Sequence, residues 1–349
     1  MSWAEVLATL TSGGDLTLDE AHDAMASVLA GEATAAQIAA FAVGLRMKQA
    51  TVDEVTGMVR AMLDVALPVP VDDPASVLDT CGTGGNDIRR RSTYSVSTIA
   101  SLVAAGAGAR VCKHGNRRAS ATCGSADTLE ALGVAIELDG PAVARCVAES
   151  GMGFVFARIA HAAMRHAAPV RAELGVPTIF NYLGPLSNPA RPGRQIVGVS
   201  DPTMAQTLLG VLAANGANRA MVVYGHDGLD ELSLAAPSTA LWLEDGGAVR
   251  TMTVEAAELG LAPAPIEAIA GGDPAANAAL ARRVLDGEPG PHRDVVVLNA
   301  AAALLVAGQA GDLAEGVAIA KRSIDDGAAA TVLERLVEVS NAAAAAVSS

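Results

Sequence analysis

Five short segments of the chain carry residue types that could do chemistry. The first, Gly82-Thr83-Gly84-Gly85, follows the strand-like run Val77-Leu78-Asp79-Thr80-Cys81. Glycines there let backbone amides turn inward and hold phosphate oxygens without a side-chain clash, although such a turn is equally a tight connection after a strand. Ser97-Thr98 opens an alanine-rich helical stretch, a second place where amides and hydroxyls converge on anions. Lys113-His114-Gly115-Asn116-Arg117 follows another strand, Ala109 to Cys112. It would set an ammonium, an imidazole and an amide at the carboxyl edge of a sheet, where open α/β folds bind ligands; its bland reading is a solvated basic loop. Asp227-Gly228-Leu229-Asp230-Glu231, after the run Met221 to Tyr224, offers hard oxygen ligands for magnesium, or a solvated acidic turn. Arg171, ten residues after His161 on a helical segment, could present a planar fork to a carboxylate, or could be a surface arginine. No glycine run ends in Gly-Lys-Ser or Gly-Lys-Thr, so none of these is a P-loop.

The elements that must hold these residues change character along the chain. Helical patterns run from Trp3 to Leu10, from Thr17-Leu18-Asp19-Glu20 onward, from Thr34 to Met47 and from Thr51 to Leu63. Each of the last three starts has a Thr close to acidic residues or glutamine that can cap free amides. Pro68, Pro70 and Pro74 then form a stiff linker and a domain boundary near residue 70. From Ser76, strand-like runs alternate with glycine turns and helices, a pattern that favours a mainly parallel sheet covered by helices. Further strands are expected at Phe154 to Ala157, Ile196 to Val199 and Met221 to Tyr224, and helices return from about Ala275. The fold class is therefore α/β: a small all-α domain over 1–70, then a larger α/β domain with a mainly parallel central sheet over 75–349.

Composition narrows the class. A chain of 349 residues suggests two domains at roughly 150 residues each. With 51% hydrophobic but only 3% aromatic residues, the core must be built from Ala, Val, Leu and Ile, and disorder throughout is excluded. The formal charge of −14 repels nucleic-acid backbones; the only basic clusters are Arg89-Arg90-Arg91 and Lys113 to Arg118. Apolar runs such as Val295 to Val306 are too short for the roughly 20 residues of a membrane span. Cys81, Cys112, Cys123 and Cys146 lack CxxC spacing and no signal segment precedes them, so they read as reduced thiols of a cytoplasmic protein.

Four long motifs in order then resemble one family: Asp79 to Gly85 (DTCGTGG), Lys113 to Arg117 (KHGNR), Gly124 to Gly133 (GSADTLEALG), and Arg171 to Pro189 (RAELGVPTIFNYLGPLSNP). The chain is similar over nearly its whole length to the anthranilate phosphoribosyltransferases of tryptophan biosynthesis. The resemblance implies a homodimer through the helical domain, which residues of about 160–190 would rejoin. It implies magnesium-dependent transfer of phosphoribose from 5-phosphoribosyl diphosphate to the amine of anthranilate, with release of diphosphate. As C1 of the ribose becomes cationic, metal and amide donors must stabilise the leaving charge, and no residue forms a covalent intermediate. Carried over by motif, Gly82, Thr83, Gly84, Gly85, Asn86, Asp87, Ser95, Ser97, Thr98, Lys113 and Ser125 would bind the donor. Gly82, His114, Asn116, His161 and Arg171 would bind the aromatic acid, and Ser97, Asp230 and Glu231 the magnesium.

The chain departs from the family's pattern at a few places. The glycine turn continues Asn86-Asp87-Ile88-Arg89-Arg90-Arg91-Ser92-Thr93-Tyr94 before Ser95-Val96-Ser97-Thr98, about three residues longer than usual, with Ser95 in place of asparagine. Asp87 could replace the acidic residue that usually follows the glycines. His161-Ala162 stands for the usual His-Pro, and Ser120-Ala121 for Ser-Ser. These changes leave open a relative that ribosylates another aromatic acid, such as a hydroxybenzoate. Two other classes remain as alternatives: a non-catalytic paralogue that binds nucleic acid, against which the net charge argues, and a dinucleotide-dependent dehydrogenase, which rests on one glycine turn without a clean GxGxxG.

Overall fold

The computed structural model describes residues 1–84, 94–117 and 123–347. Four helices come first: α1 Trp3–Thr11, α2 Leu18–Ala30, α3 Ala35–Lys48 and α4 Val52–Asp64. Each begins with a capping box. Ser2, Thr17, Thr34 and Thr51 accept the backbone N–H of the third helical residue, and the Glu or Gln there reaches back to the cap's own N–H. The threonines expected from sequence to cap α2, α3 and α4 do so, at about 1 kcal/mol each.

The larger domain starts with β1 Val77–Gly82, α5 Val96–Gly106, β2 Arg110–Gly115, α6 Ser125–Ala131, α7 Gly140–Ser150 and β3 Met152–Phe156. The short helices α8 Ala157–Ala160, α9 Ala168–Leu174 and α10 Phe180–Leu186 follow, then β4 Arg194–Gly198, α11 Ala205–Ala214 and β5 Arg219–Gly225. A hairpin of β6 Ser238–Leu243 and β7 Val249–Val254 precedes four helices, α12 Pro274–Leu285, α13 Pro291–Val306, α14 Leu313–Asp325 and α15 Ala328–Val347. The strands form one sheet in the order β3-β2-β1-β4-β5-β6-β7, parallel through β5 and antiparallel beyond it. The sequence reading located the five parallel strands and missed the hairpin. Asp245-Gly246-Gly247 between Leu241 and Val254 was the available signal, since both glycines take the positive φ a tight turn demands.

Two hydrophobic cores flank the sheet, and strand alternation feeds both. Met221 and Val223 of β5 and Ala240 and Trp242 of β6 enter one core, with the buried helix α13. Ala220, Val222, Leu241 and Leu243 enter the other. That second core also holds α1–α4 together with Ala167, Val170, Ile179, Phe180, Leu183 and Leu186 of the α9–α10 region. The carboxyl end of α13 is closed by two arginines from the sheet: Arg194 donates to the Ala307 carbonyl and Arg219 to that of Leu305. Cations there also suit the negative end of the helix dipole.

Candidate active site

The chain leaves β1 toward β2 but leaves β4 toward β5, so the connections diverge where β1 and β4 lie side by side. Such a switch point opens a crevice at the carboxyl ends of the strands. Here Gly82 pairs with Gly198, and the Thr83 N–H donates to the Gly198 carbonyl at 2.8 Å. Gly198 must be glycine, and Gly82 has little room for a side chain, because the 227–231 turn rests on them. A Cβ on Gly82 would stand 2.9 Å from Asp230 Oδ2, and one on Gly198 only 1.6 Å from the Asp230 carbonyl oxygen. Asp227 fixes the turn, accepting the Leu229 N–H at 3.3 Å and the Ser233 hydroxyl at 2.5 Å. Asp230 and Glu231 follow it, both half-buried beside the strand ends.

Lys113 and His114 were expected just after a strand; they lie within it, because β2 continues on β3 through Gly115↔Phe156. Lys113 is 2% exposed rather than solvated, and its ammonium donates to the Thr80 carbonyl and, at 3.2 Å, to Ser97 Oγ at the start of α5. Burial lowers its pKa, while Asp79, Glu231 and Asp230 oppose that shift. Ser95 shares a 2.7 Å hydrogen bond with Thr128 of α6 rather than capping α5. Thr83 Oγ1 and Thr98 Oγ1 are buried and without a hydrogen-bond partner among the described residues.

His114 and His161 meet edge to face, ring centroids 5.1 Å apart. His114 Nδ1 lies 2.9 Å from the Gly184 carbonyl, which can only accept, so Nδ1 carries the proton and Nε2 a lone pair. That Nε2, like Nδ1 of His161, is buried with no partner among the described residues. Burial, reinforced by the neighbouring His161, holds His114 down to about 3, and burial holds His161 down to about 4. Both are neutral at physiological pH. Arg171 sits on α9, half-buried, with its pKa lowered by burial and no side-chain hydrogen bond among the described residues. Asn116 is exposed; its amide oxygen accepts the Arg117 N–H and its carbonyl the Ser125 hydroxyl. Arg117 is tied to Asp127 and Glu130 and lies over the Phe156 ring.

Gly82, Thr83, Ser97, Thr98, Lys113, Asp230 and Glu231 thus gather at one edge of the sheet, with the histidine pair beside Lys113 on β2. Asn116 and Arg171 share no hydrogen bond with that group among the described residues. Gly85, Asn86, Asp87, the Arg89 to Arg91 run, Ser120 and Ala121 lie outside the described residues. No cluster of three or more His, Cys, Asp or Glu side chains able to hold a metal occurs among the described residues. Two carboxylates beside a glycine turn nevertheless fit magnesium, which takes one or two carboxylates and completes its shell with water and substrate phosphates. Asp79, Asn188 and Gln195, which meet in a buried hydrogen-bonded group beside Lys113 and His114, are not among the residues that the sequence points to individually. A charged residue inside the apolar run Val77 to Cys81 was the signal.

The helical bundle domain of a glycosyl transferase family matches residues 4–66, and its a/b domain matches residues 74–330. An anthranilate phosphoribosyltransferase of Roseiflexus castenholzii is 50% identical over 333 residues, 95% of this chain and 96% of the relative. The chain belongs to the anthranilate phosphoribosyltransferase family. The crystal structure of the Thermus thermophilus member superimposes with a TM-score of 0.89 at 42% identity, covering 96% of this chain and 99% of that one. The Saccharomyces cerevisiae member, in complex with PRPP and Mg, gives 0.88 at 25% identity over 97% and 98% of the two chains. The family's small helical domain and larger α/β domain are the two parts seen here.

Proposed function

We propose that this protein transfers phosphoribose from 5-phosphoribosyl diphosphate to the amine of anthranilate, releasing diphosphate, as a cytoplasmic step of tryptophan biosynthesis. The observation that carries the reading is the convergence of a glycine turn, a helix N-terminus, the buried Lys113 and the Asp230–Glu231 pair at the β1/β4 switch point. A polyphosphate needs that set: inward amides for its oxygens, a desolvated cation, and carboxylates that share a divalent ion with it. The yeast relative's complex with PRPP and Mg supports the same reading.

Gly82 and Thr83 present backbone to the diphosphate, Ser97 and Thr98 add hydroxyls and the amides of the α5 N-terminus, and Lys113 holds negative charge as the C1–oxygen bond lengthens. Asp230 and Glu231 would hold magnesium, which when bound neutralises the departing diphosphate. On the acceptor side Arg171 pairs with the aromatic carboxylate, Asn116 contributes an amide, and the neutral His114 and His161 offer lone pairs to the amine. The amine is already a nucleophile, so alignment of nitrogen with C1 supplies the rate rather than proton transfer. The packing of Ala167, Val170, Ile179, Phe180, Leu183 and Leu186 into the same core as α1–α4 supports a discontinuous small domain, 1–70 with about 160–190, against 75–349. The same proposal includes a homodimer through that domain.

The test is diphosphate release from 5-phosphoribosyl diphosphate with magnesium and, in turn, anthranilate, salicylate, 4-hydroxybenzoate and 4-aminobenzoate. Anthranilate-dependent release is expected; release with another acid alone would replace the acceptor, and release with none would remove the activity.

A further inference from the structure

The backbone ladder between β1 and β2 covers Val77↔Arg110 and Leu78↔Val111 and stops. Beyond it β1 stays on β4 through Gly82↔Gly198, and β2 stays on β3 through Gly115↔Phe156. Past Leu78 the backbone ladder between β1 and β2 therefore gives way, and side chains bridge the two strands toward the proposed substrate edge. Lys113 reaches from β2 to the Thr80 carbonyl. Asp79, fully buried, reaches from β1 to accept the His114 backbone N–H at 3.0 Å.

The other carboxylate oxygen of Asp79 accepts from Asn188 Nδ2 at 2.9 Å and, more weakly, from Gln195 Nε2 at 3.5 Å. Asn188 is itself pinned: Nδ2 also donates to the Cys112 carbonyl at 2.8 Å and Oδ1 accepts the Ala190 N–H at 2.9 Å. Gln195 binds the Pro185 carbonyl at 3.3 Å. One carboxylate thus joins β1, β2, β4 and the segment after α10; β2 carries Lys113 and His114, and α10, just before that segment, carries the Gly184 carbonyl that fixes the His114 tautomer. Burying a carboxylate costs several kcal/mol, which an apolar side chain at a purely structural position would avoid.

We infer that Asp79 is a positioning residue for the transfer reaction: its carboxylate takes the place of the backbone ladder between β1 and β2 and sets Lys113 against the donor and His114 against the acceptor. It touches neither substrate. This rests on the proposed function, and the test separates the two.

Asp79→Asn keeps the shape but makes one former acceptor a donor facing Asn188. Leu304→Ala, which empties space in the buried α13 remote from the site, serves as the destabilised control. Donor affinity is measured by calorimetry with magnesium and no acceptor, and turnover by diphosphate release, at a temperature where circular dichroism shows both variants folded. Asp79→Asn is expected to weaken donor binding at least tenfold, to lower kcat, and to raise the KM for anthranilate. Leu304→Ala should stay within twofold on all three. Overturning results are an Asp79→Asn protein that binds donor and turns over like the wild type, or one whose losses match those of Leu304→Ala. Failure of wild-type turnover with anthranilate would refute the proposed function alone, since the donor measurement needs no acceptor.

Discussion

Replacing Arg171 by alanine separates the two substrates. Its guanidinium is half-buried, desolvated enough for its pKa to fall, and without a side-chain hydrogen bond among the described residues. A cation kept in that state gains most from an arriving carboxylate, because little must be broken first. A hydrogen bond between ionised groups is worth about 1.5–3 kcal/mol, and each 1.4 kcal/mol is tenfold in affinity. The KM for anthranilate should therefore rise by about 10- to 100-fold at saturating donor, while the KM for 5-phosphoribosyl diphosphate moves less than threefold. Aniline supplies the internal control: it lacks the carboxylate, so its kcat/KM should hardly change, and the preference for anthranilate over aniline should collapse in the variant. Equal rises for donor and acceptor, or a preserved preference, would refute the assignment.

Three further outcomes are expected. Asp230→Asn with Glu231→Gln should move the magnesium titration of turnover to at least tenfold higher concentration; an unchanged titration removes the pair from the metal site. Gly198→Ala forces the 227–231 turn off the strand ends, since its Cβ would overlap a backbone oxygen, so it should lose most activity and lower the melting temperature, whereas Gly82→Ala meets only a side-chain oxygen and should lose activity with little change in melting. His114 and His161 titrate far below the ordinary 6.5 in the folded chain, at about 3 and about 4. Their lowered values mean that the stability they confer is complete above pH 6.5 and is lost as pH falls toward 4, at about 1.4 kcal/mol per pH unit for each. The urea midpoint should drop between pH 6.5 and 5, less steeply in His161→Gln; equal slopes would contradict the neutral pair.

Features encoded locally were legible in the sequence. Thr17, Thr34 and Thr51 specify helix starts through bonds three residues away, and the five parallel strands stand out as short apolar runs before glycine or polar turns. The β6–β7 hairpin was harder, because Ser238 to Leu243 is buried on both faces and shows no alternation. The site residues were picked out by motif, but their environment was not. Nothing local says that Lys113 is enclosed by Thr80 and Ser97, or that the ladder between β1 and β2 stops at Leu78. The work of Asp79 depends on Asn188 and Gln195, more than a hundred positions away, and only folding brings them together.

The alternation of β5 and β6 between two cores bears on how this family can diversify. Adding or deleting one residue inside either strand would swap its two faces, sending Ala220 and Val222 where Met221 and Val223 belong, and both cores would fail together. Changes of chain length are therefore tolerated chiefly where strands have already ended. At the carboxyl edge of the sheet those places are the turns after β1 and β5, so the packing that forbids drift in the interior leaves the proposed site as the part most open to descent.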